Sequence, residues 1–91
     1  MAKAKITVKG RVQMVGFRYY TVINARKLGV EGYVRNLESG DVEILARADE
    51  GAMAEFIKAV RKGPASAVIT DVDIKYNTWF TENITGFDVK Y

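Results

Sequence analysis

The sequence contains no cysteine and no histidine, and it has a single proline among 91 residues. The absence of cysteine excludes disulfide bonds, thiolate nucleophiles and iron–sulfur clusters. The absence of histidine removes the most common metal ligand and the most common general base at neutral pH. Any chemistry that this chain performs must therefore rely on other groups.

Long apolar runs are also missing. No stretch approaches the roughly 18 apolar residues of a membrane helix, and the start, MAKAKITVKG, lacks the apolar segment of a signal peptide. The composition, with 48% hydrophobic and 27% charged residues, is ordinary for a globular protein and includes no low-complexity segment. We therefore expect one domain over residues 1–91 that is cytoplasmic, monomeric and without a membrane partner.

The net charge of +3 favours an anionic partner. The Lys and Arg residues are dispersed along the chain, which argues against a nucleic-acid partner. Four aromatic residues raise the question of base stacking, but their helix and strand spacings are more typical of core or rim positions. These residues are Tyr19, Tyr20, Tyr33 and Trp79.

The hydrophobic pattern predicts five strands and two helices. The strands are expected at about 5–12, 32–37, 42–46, 67–77 and from 87 to the last residue, 91. The first helix is expected from Phe17 to Leu28, ending at Gly29, and the second is expected to be capped by Asp49 and closed by residues 61–64. Residues 77–84 are expected to form an irregular connection. The order βαββαβ with an added C-terminal strand predicts an α+β, ferredoxin-like sandwich with both helices on one face of a largely antiparallel sheet.

The start of the first helix has no capping side chain. Residues 10–18 read GRVQMVGFR, with no Ser, Thr, Asp or Asn at the junction of strand and helix. Because the first N–H groups of a helix lack partners within it, this turn is a potential anion site. Arg18 adds a cation at the positive end of the helix dipole, which is unfavourable by roughly 0.3–1 kcal/mol. A phosphate would offset both features, although water and a simple tight turn at Gly16 would also explain them.

The stretch GRVQMVGFR resembles the N-terminal signature of the acylphosphatase family, Gly-x-Val-Gln-Gly-Val-x-Phe-Arg. Residues 32–36, GYVRN, resemble that family's second motif, and the segments KGPASA and GFDVKY resemble its later ones. The resemblance spans nearly the whole chain. It implies a ferredoxin-like fold, in agreement with the pattern of elements. It also implies hydrolysis of small-molecule acyl phosphates without cofactor or metal, with inorganic phosphate as product and inhibitor.

The resemblance implies roles for particular residues. Arg18 corresponds to the family's catalytic arginine, and Asn36 corresponds to the asparagine that positions the attacking water. The residue inventory fits this chemistry, because residues 10–18 contain no Cys, Ser, Thr or Asp nucleophile and water must attack directly. On its own pattern, without the resemblance, the favoured interpretation is that Asn36 only bonds its own turn. The implied phosphate cradle consists of the backbone amides of Gln13, Met14, Val15, Gly16 and Phe17.

Met14 departs from the family pattern, which has Gly at this position. If the position requires a left-handed backbone, the side chain costs roughly 1–2 kcal/mol and turns one amide away, lowering activity perceptibly. If the backbone is ordinary, Met14 only lines the mouth of the site. In either case we expect Met14→Gly to leave the turnover unchanged or to raise it.

Two other functions stay open beside the enzyme. The first is a phosphate-binding module of the same fold, in which Met14 has weakened catalysis. The second is an RNA-binding domain of the RRM type, which shares the order of elements but needs aromatic residues on its third strand. The segment DVEILARA contains no aromatic residue, and the enzyme is the function that the sequence favours.

Overall fold

The structure is a computed structural model that describes residues 1–77 and 84–91. It contains the elements in the predicted order, βαββαβ with an added C-terminal strand. Their bounds are β1 (Ala2–Arg11), α1 (Phe17–Leu28), β2 (Glu31–Asn36), β3 (Val42–Ala48), α2 (Glu50–Lys62), β4 (Val68–Tyr76) and β5 (Phe87–Val89). Most of the predicted connection at 77–84 lies outside the described residues.

The strands form one five-stranded sheet in the order β4-β1-β3-β2-β5. The pairs β1–β3, β1–β4 and β2–β3 are antiparallel, whereas the edge pair β2–β5 is parallel. This arrangement confirms the ferredoxin-like sandwich with a largely antiparallel sheet. It also places the end of β2 beside the start of β3, and the end of β1 leads directly into α1.

Both helices pack on the same face of the sheet. The alternate residues Ile6 and Val8 of β1 and Val42 and Ile44 of β3 are fully buried. They share one hydrophobic cluster with residues of both helices. In α2 these residues recur at spacings of three and four, as predicted, and in α1 the predicted Phe17 and Ala25 belong to the cluster together with Val22. The helix residues in that cluster are Phe17, Val22, Ala25, Met53, Phe56, Ile57 and Val60.

The structure corrects three details of the predicted elements. The first strand begins at Ala2, because residues 2–4 still pair in register with residues 46–48 at the end of β3. The fifth strand ends at Val89, and Tyr91, expected within it, is almost fully exposed. Asp49 occupies the N-cap position of α2, but its side chain makes no capping hydrogen bond. Its carboxylate is exposed, so water competes for it, and only its backbone carbonyl joins the helix, accepting from the Met53 amide at 2.8 Å.

Two glycines allow the sheet to pack closely near the site. A Cβ atom on Gly10 would lie 2.1 Å from the Val68 carbonyl oxygen, and one on Gly32 would lie 1.7 Å from the Leu45 carbonyl oxygen. Both glycines also have positive φ angles, 124° and 147°. Between Lys9 and Gly10 the pairing of β1 with β4 shifts register, as at a β-bulge. None of the described helices is long and apolar enough to cross a membrane.

Candidate active site

The turn between β1 and α1 carries backbone amides that have no hydrogen-bond acceptor in the part of the chain that the structure describes. Gly16 is the N-cap of α1 and makes no side-chain capping bond, and the first turn contains no acidic residue. Among the described residues, none accepts a hydrogen bond from the amides of residues 13–17. The first helical bond is donated by the Tyr20 amide to the Gly16 carbonyl, at 3.0 Å. The prediction of an uncapped helix start is therefore confirmed, and the positive end of the dipole faces outward.

Met14 adopts the left-handed backbone that its family position suggested. Its φ angle is 62°, close to the 79° of Gly16 two residues later. The Met14 side chain is fully exposed, so packing does not compensate for the conformation. Of the two backbone conformations that the sequence left open at this position, the left-handed one is present.

Arg18 lies in the first turn of α1, and its side chain is partly buried. Its guanidinium carbon lies 5.4 Å from the centroid of the Tyr91 ring, a cation–π contact. No carboxylate of the described residues forms an ion pair with it. The positive charge of the guanidinium therefore adds to the positive electrostatic potential at the start of α1.

Asn36 is the last residue of β2, where it pairs across the hairpin with Val42. Its side-chain oxygen Oδ1 is buried and has no hydrogen-bond partner among the described residues. The simple interpretation, in which this oxygen bonds its own turn, does not hold. Buried polar atoms are nearly always paired, so an unpaired acceptor on a residue that lines a cavity marks a place where a donor can bind.

A single cavity of about 400 Å³ brings these features together. Arg18 and Asn36, which are distant in sequence, both line it, as do three of the five predicted cradle residues, Met14, Gly16 and Phe17. Gln13 and Val15 do not line it. Three valines, Val12, Val22 and Val89, also line the cavity.

Sequence reasoning missed two further charged residues of this cavity, Arg26 and Asp88. The Arg26 Nε atom donates to the Phe87 carbonyl at 3.1 Å, and its Nη2 atom lies 3.5 Å from Asp88 Oδ1. The spacing of Arg18, Val22 and Arg26 along α1 is the signal that predicts a common helix face. Asp88 carried no comparable signal, because it reaches the cavity only through the pairing of β5 with β2.

Two side chains anchor the turn that carries the free amides. The Gln13 Nε2 atom donates to the carbonyl oxygens of Leu37, at 2.7 Å, and Asp41, at 2.9 Å. The Ser66 hydroxyl donates to the Val15 carbonyl at 2.8 Å. The turn is thus attached to the β2–β3 hairpin on one side and to the segment after α2 on the other. Gln13 was predicted to act only through its backbone, and Ser66 was not predicted at all.

A buried carboxylate on the other face of the sheet lies next to the strand end that carries Asn36. Burial raises the pKa of Glu43, but the Arg35 guanidinium outweighs it, aided by the Tyr33 hydroxyl and Lys5, and holds the pKa below its ordinary value. Arg35 Nε donates to Glu43 Oε1 at 2.8 Å, the Tyr33 hydroxyl lies 3.2 Å from the same oxygen, and Lys5 Nζ lies 3.6 Å from Oε2. This cluster ties β1, β2 and β3 together beside Asn36.

The stacking question raised by the aromatic residues is answered for those that the structure describes. The Tyr20 hydroxyl donates to the Ala59 carbonyl at 2.7 Å between the two helices, and Tyr33 belongs to the Glu43 cluster. Tyr19 is exposed and lies at the cavity rim. Trp79 lies outside the described residues. Within residues 1–77 and 84–91, no group of three or more Asp and Glu side chains could hold a metal ion.

Comparison with known proteins gives a consistent result. A family model described as Acylphosphatase matches residues 4–89. An acylphosphatase of Thermotoga maritima is 46% identical over 91 residues, which is 100% of this chain and 99% of that protein. One from Archaeoglobus fulgidus is 43% identical over 91 residues, covering 100% of both. The crystal structure of an acylphosphatase from Bacillus subtilis matches with a TM-score of 0.93 at 37% identity over 100% of both chains.

Proposed function

The chain belongs to the acylphosphatase family, and from this premise we propose that it hydrolyses acyl phosphates, the mixed anhydrides of a carboxylic acid and phosphate. The products are a carboxylate and inorganic phosphate. The observation that carries the proposal is that one cavity is lined by three features: the start of α1, the Arg18 cation and the buried amide oxygen of Asn36. None of the three has a hydrogen-bond or ion-pair partner of the relevant kind among residues 1–77 and 84–91. The reaction needs each of them.

The substrate phosphate binds at the start of α1. The amides of residues 13–17 have no other acceptor among the described residues, and the helix dipole adds positive potential. Arg18 contributes a fork of N–H donors that matches two phosphate oxygens. Charge-assisted hydrogen bonds of this kind contribute on the order of 1.5–3 kcal/mol each before the cost of ordering the ligand. The bound phosphate takes the place of the missing helix cap.

The attacking water is oriented by Asn36. Its Oδ1 atom accepts a hydrogen bond from water, and the amide stays uncharged beside a phosphate dianion. The water oxygen forms a bond to phosphorus while the bond from phosphorus to the acyl oxygen breaks, and the carboxylate departs with the electron pair. One proton of the water passes to solvent or to a phosphate oxygen. A carboxylate is a good leaving group, so positioning supplies most of what the reaction requires.

A covalent phosphoenzyme is not part of this mechanism. Residues 10–18 contain no Cys, Ser, Thr or Asp, and the whole chain contains no Cys or His. Asp88 also lines the cavity, but it forms an ion pair with Arg26 and is assigned no role as a nucleophile. Inorganic phosphate, as the product, binds the same amides and Arg18, so it inhibits competitively. The remaining apolar wall of the cavity, Val22 and Val89, is available for the acyl group.

The proposal is tested by steady-state hydrolysis of benzoyl phosphate in the presence of a chelator. We expect turnover in the wild type, losses of at least about a hundredfold in Arg18→Ala and Asn36→Ala, and wild-type turnover in Arg61→Ala, a matched change at an exposed arginine of α2. Isothermal titration with inorganic phosphate accompanies the kinetics. If the wild type binds phosphate but does not hydrolyse acyl phosphate, the proposed enzyme activity is wrong and the chain is a phosphate-binding module. Met14 would then be the residue to examine as the cause of the lost activity.

A further inference from the structure

The side chain of Gln13 makes contacts that phosphate binding by its backbone does not explain. Both hydrogens of its amide nitrogen are used, one on the Leu37 carbonyl at 2.7 Å and one on the Asp41 carbonyl at 2.9 Å. A glutamine amide is suited to this task because it carries two donors and no charge. The two bonds join the turn before α1 to a hairpin that lies 24 and 28 residues further along the chain.

One of these bonds acts on Leu37, the residue that directly follows Asn36. Leu37 is also held through its own amide, which donates to the Asp41 carbonyl at 2.8 Å, and its carbonyl accepts from Gly40 at 3.1 Å. The Gln13 side chain therefore closes a small network around the residue next to Asn36. Because Asn36 Oδ1 itself has no partner among the described residues, its position depends on the backbone that this network holds.

We propose that Gln13 is a positioning residue that fixes the distance between the phosphate-binding amides and the water-orienting Asn36. This inference rests on the proposed function. One end of the connection is the turn that carries the free amides, and the other is the strand end that carries Asn36. A displacement of about 1 Å between phosphate and water can lower the rate about a hundredfold, so such a connection has a direct kinetic consequence.

A change of Gln13 to Met tests the proposal, because Met has similar length and volume but no donors. We expect kcat for benzoyl phosphate to fall about 10- to 100-fold, while the dissociation constant of inorganic phosphate changes less than about threefold. The amides and Arg18 that bind phosphate remain, whereas the alignment of Asn36 is lost. A loss of phosphate affinity as large as the loss of kcat would show that Gln13 only holds the cradle together, and it would overturn the proposal.

A double-mutant cycle with Asn36→Ala separates positioning from general structural support. If Gln13 acts through Asn36, then Gln13→Met lowers the residual kcat less than about twofold in the Asn36→Ala background. Single-turnover measurements with enzyme in excess make this residual hydrolysis measurable. Equal losses in both backgrounds would mean that Gln13 acts independently of Asn36, and the proposal would be withdrawn.

Asn24→Ala is the matched control, because the Asn24 side-chain amide also donates to a backbone carbonyl, that of Tyr20 at 2.8 Å, but Asn24 does not line the cavity. We expect its kcat to stay within about threefold of the wild type, as for the loss of one hydrogen bond outside the site. A loss equal to that of Gln13→Met would overturn the specific role of Gln13.

If Gln13→Met does not fold, Gln13→Asn takes its place, since it keeps the donors but is too short to reach both carbonyls. A wild-type protein without turnover would contradict both the proposed function and this inference. If the wild type is active but the effects of Gln13→Met and Asn36→Ala on kcat are additive, only the inference is contradicted.

Discussion

Met14 and Gly16 both have left-handed backbones, with φ angles of 62° and 79°, and only Val15 separates them. Gly adopts this conformation freely, whereas an L side chain pays a steric cost of about 1–2 kcal/mol. The Met14 side chain is fully exposed and gains no packing in return. The strain therefore lies in the turn whose amides are proposed to bind phosphate, and it is open to direct measurement.

Met14→Gly should relieve that strain. Part of the gain is offset by the greater freedom of Gly in the unfolded chain, so we expect the free energy of unfolding to rise by about 0.5–1 kcal/mol. Turnover of benzoyl phosphate should be unchanged or higher. Urea denaturation and steady-state kinetics measure the two effects. Met14→Ala keeps the Cβ atom and serves as the control with no expected gain; a large loss of turnover in folded Met14→Gly would contradict the prediction.

Asn36→Asp should damage the site more than Asn36→Ala. The two side chains of Asn and Asp have the same size, but a carboxylate beside a phosphate dianion is repelled by several kcal/mol. We expect at least about a hundredfold loss of turnover in both variants, with phosphate affinity weakened about tenfold or more only in Asn36→Asp. Titration calorimetry with inorganic phosphate distinguishes them. Equal phosphate affinities would place Asn36 away from the bound anion.

Glu43 should make stability depend on pH in the acid range. Its folded pKa lies below the ordinary value of 4.5, because Arg35, Tyr33 and Lys5 outweigh the effect of burial. A depressed carboxylate pKa stabilises the fold above the unfolded pKa, and this contribution is lost as pH falls through the folded value. We expect Glu43→Gln to lower the free energy of unfolding by about 1–3 kcal/mol at pH 7, with a smaller difference at pH 3. Glu55→Gln, at an exposed position of α2, is the control; a constant difference across this range would refute the assignment.

Tyr20 and Tyr19 provide a matched pair for the contact between the helices. The Tyr20 hydroxyl donates to the Ala59 carbonyl at 2.7 Å, whereas Tyr19 is 73% exposed. Tyr20→Phe should lower the free energy of unfolding by about 0.5–1.5 kcal/mol, and Tyr19→Phe should leave it within about 0.5 kcal/mol. The Ala59 carbonyl still accepts from Gly63, which limits the loss. Thermal denaturation compares the midpoints of the two variants. Equal midpoints would show that the hydrogen bond from Tyr20 to Ala59 contributes nothing to stability.

The helices and most strands were predictable because their signals are local. α1 runs from Phe17 to Leu28, as the apolar spacing and Gly29 indicated, and Gly29 has the left-handed φ of 74° that ends a helix. Where a local signal was read as a specific bond, it misled: Asp49 stands at the N-cap of α2, yet its exposed carboxylate makes no capping bond. A cap position is set by backbone geometry, but whether the side chain bonds there depends on competition with water.

The sequence by itself determined the order of elements, the uncapped start of α1 and the exclusion of a thiolate or imidazole from the chemistry, since these follow from composition and near-neighbour periodicity. Only the tertiary structure decided the backbone of Met14, the burial of the Asn36 side-chain oxygen and the bonds of Gln13 and Ser66. The reason is physical. These features arise where the sheet brings segments separated by 24 to 51 residues into contact, and no local preference of the chain specifies which polar groups then meet.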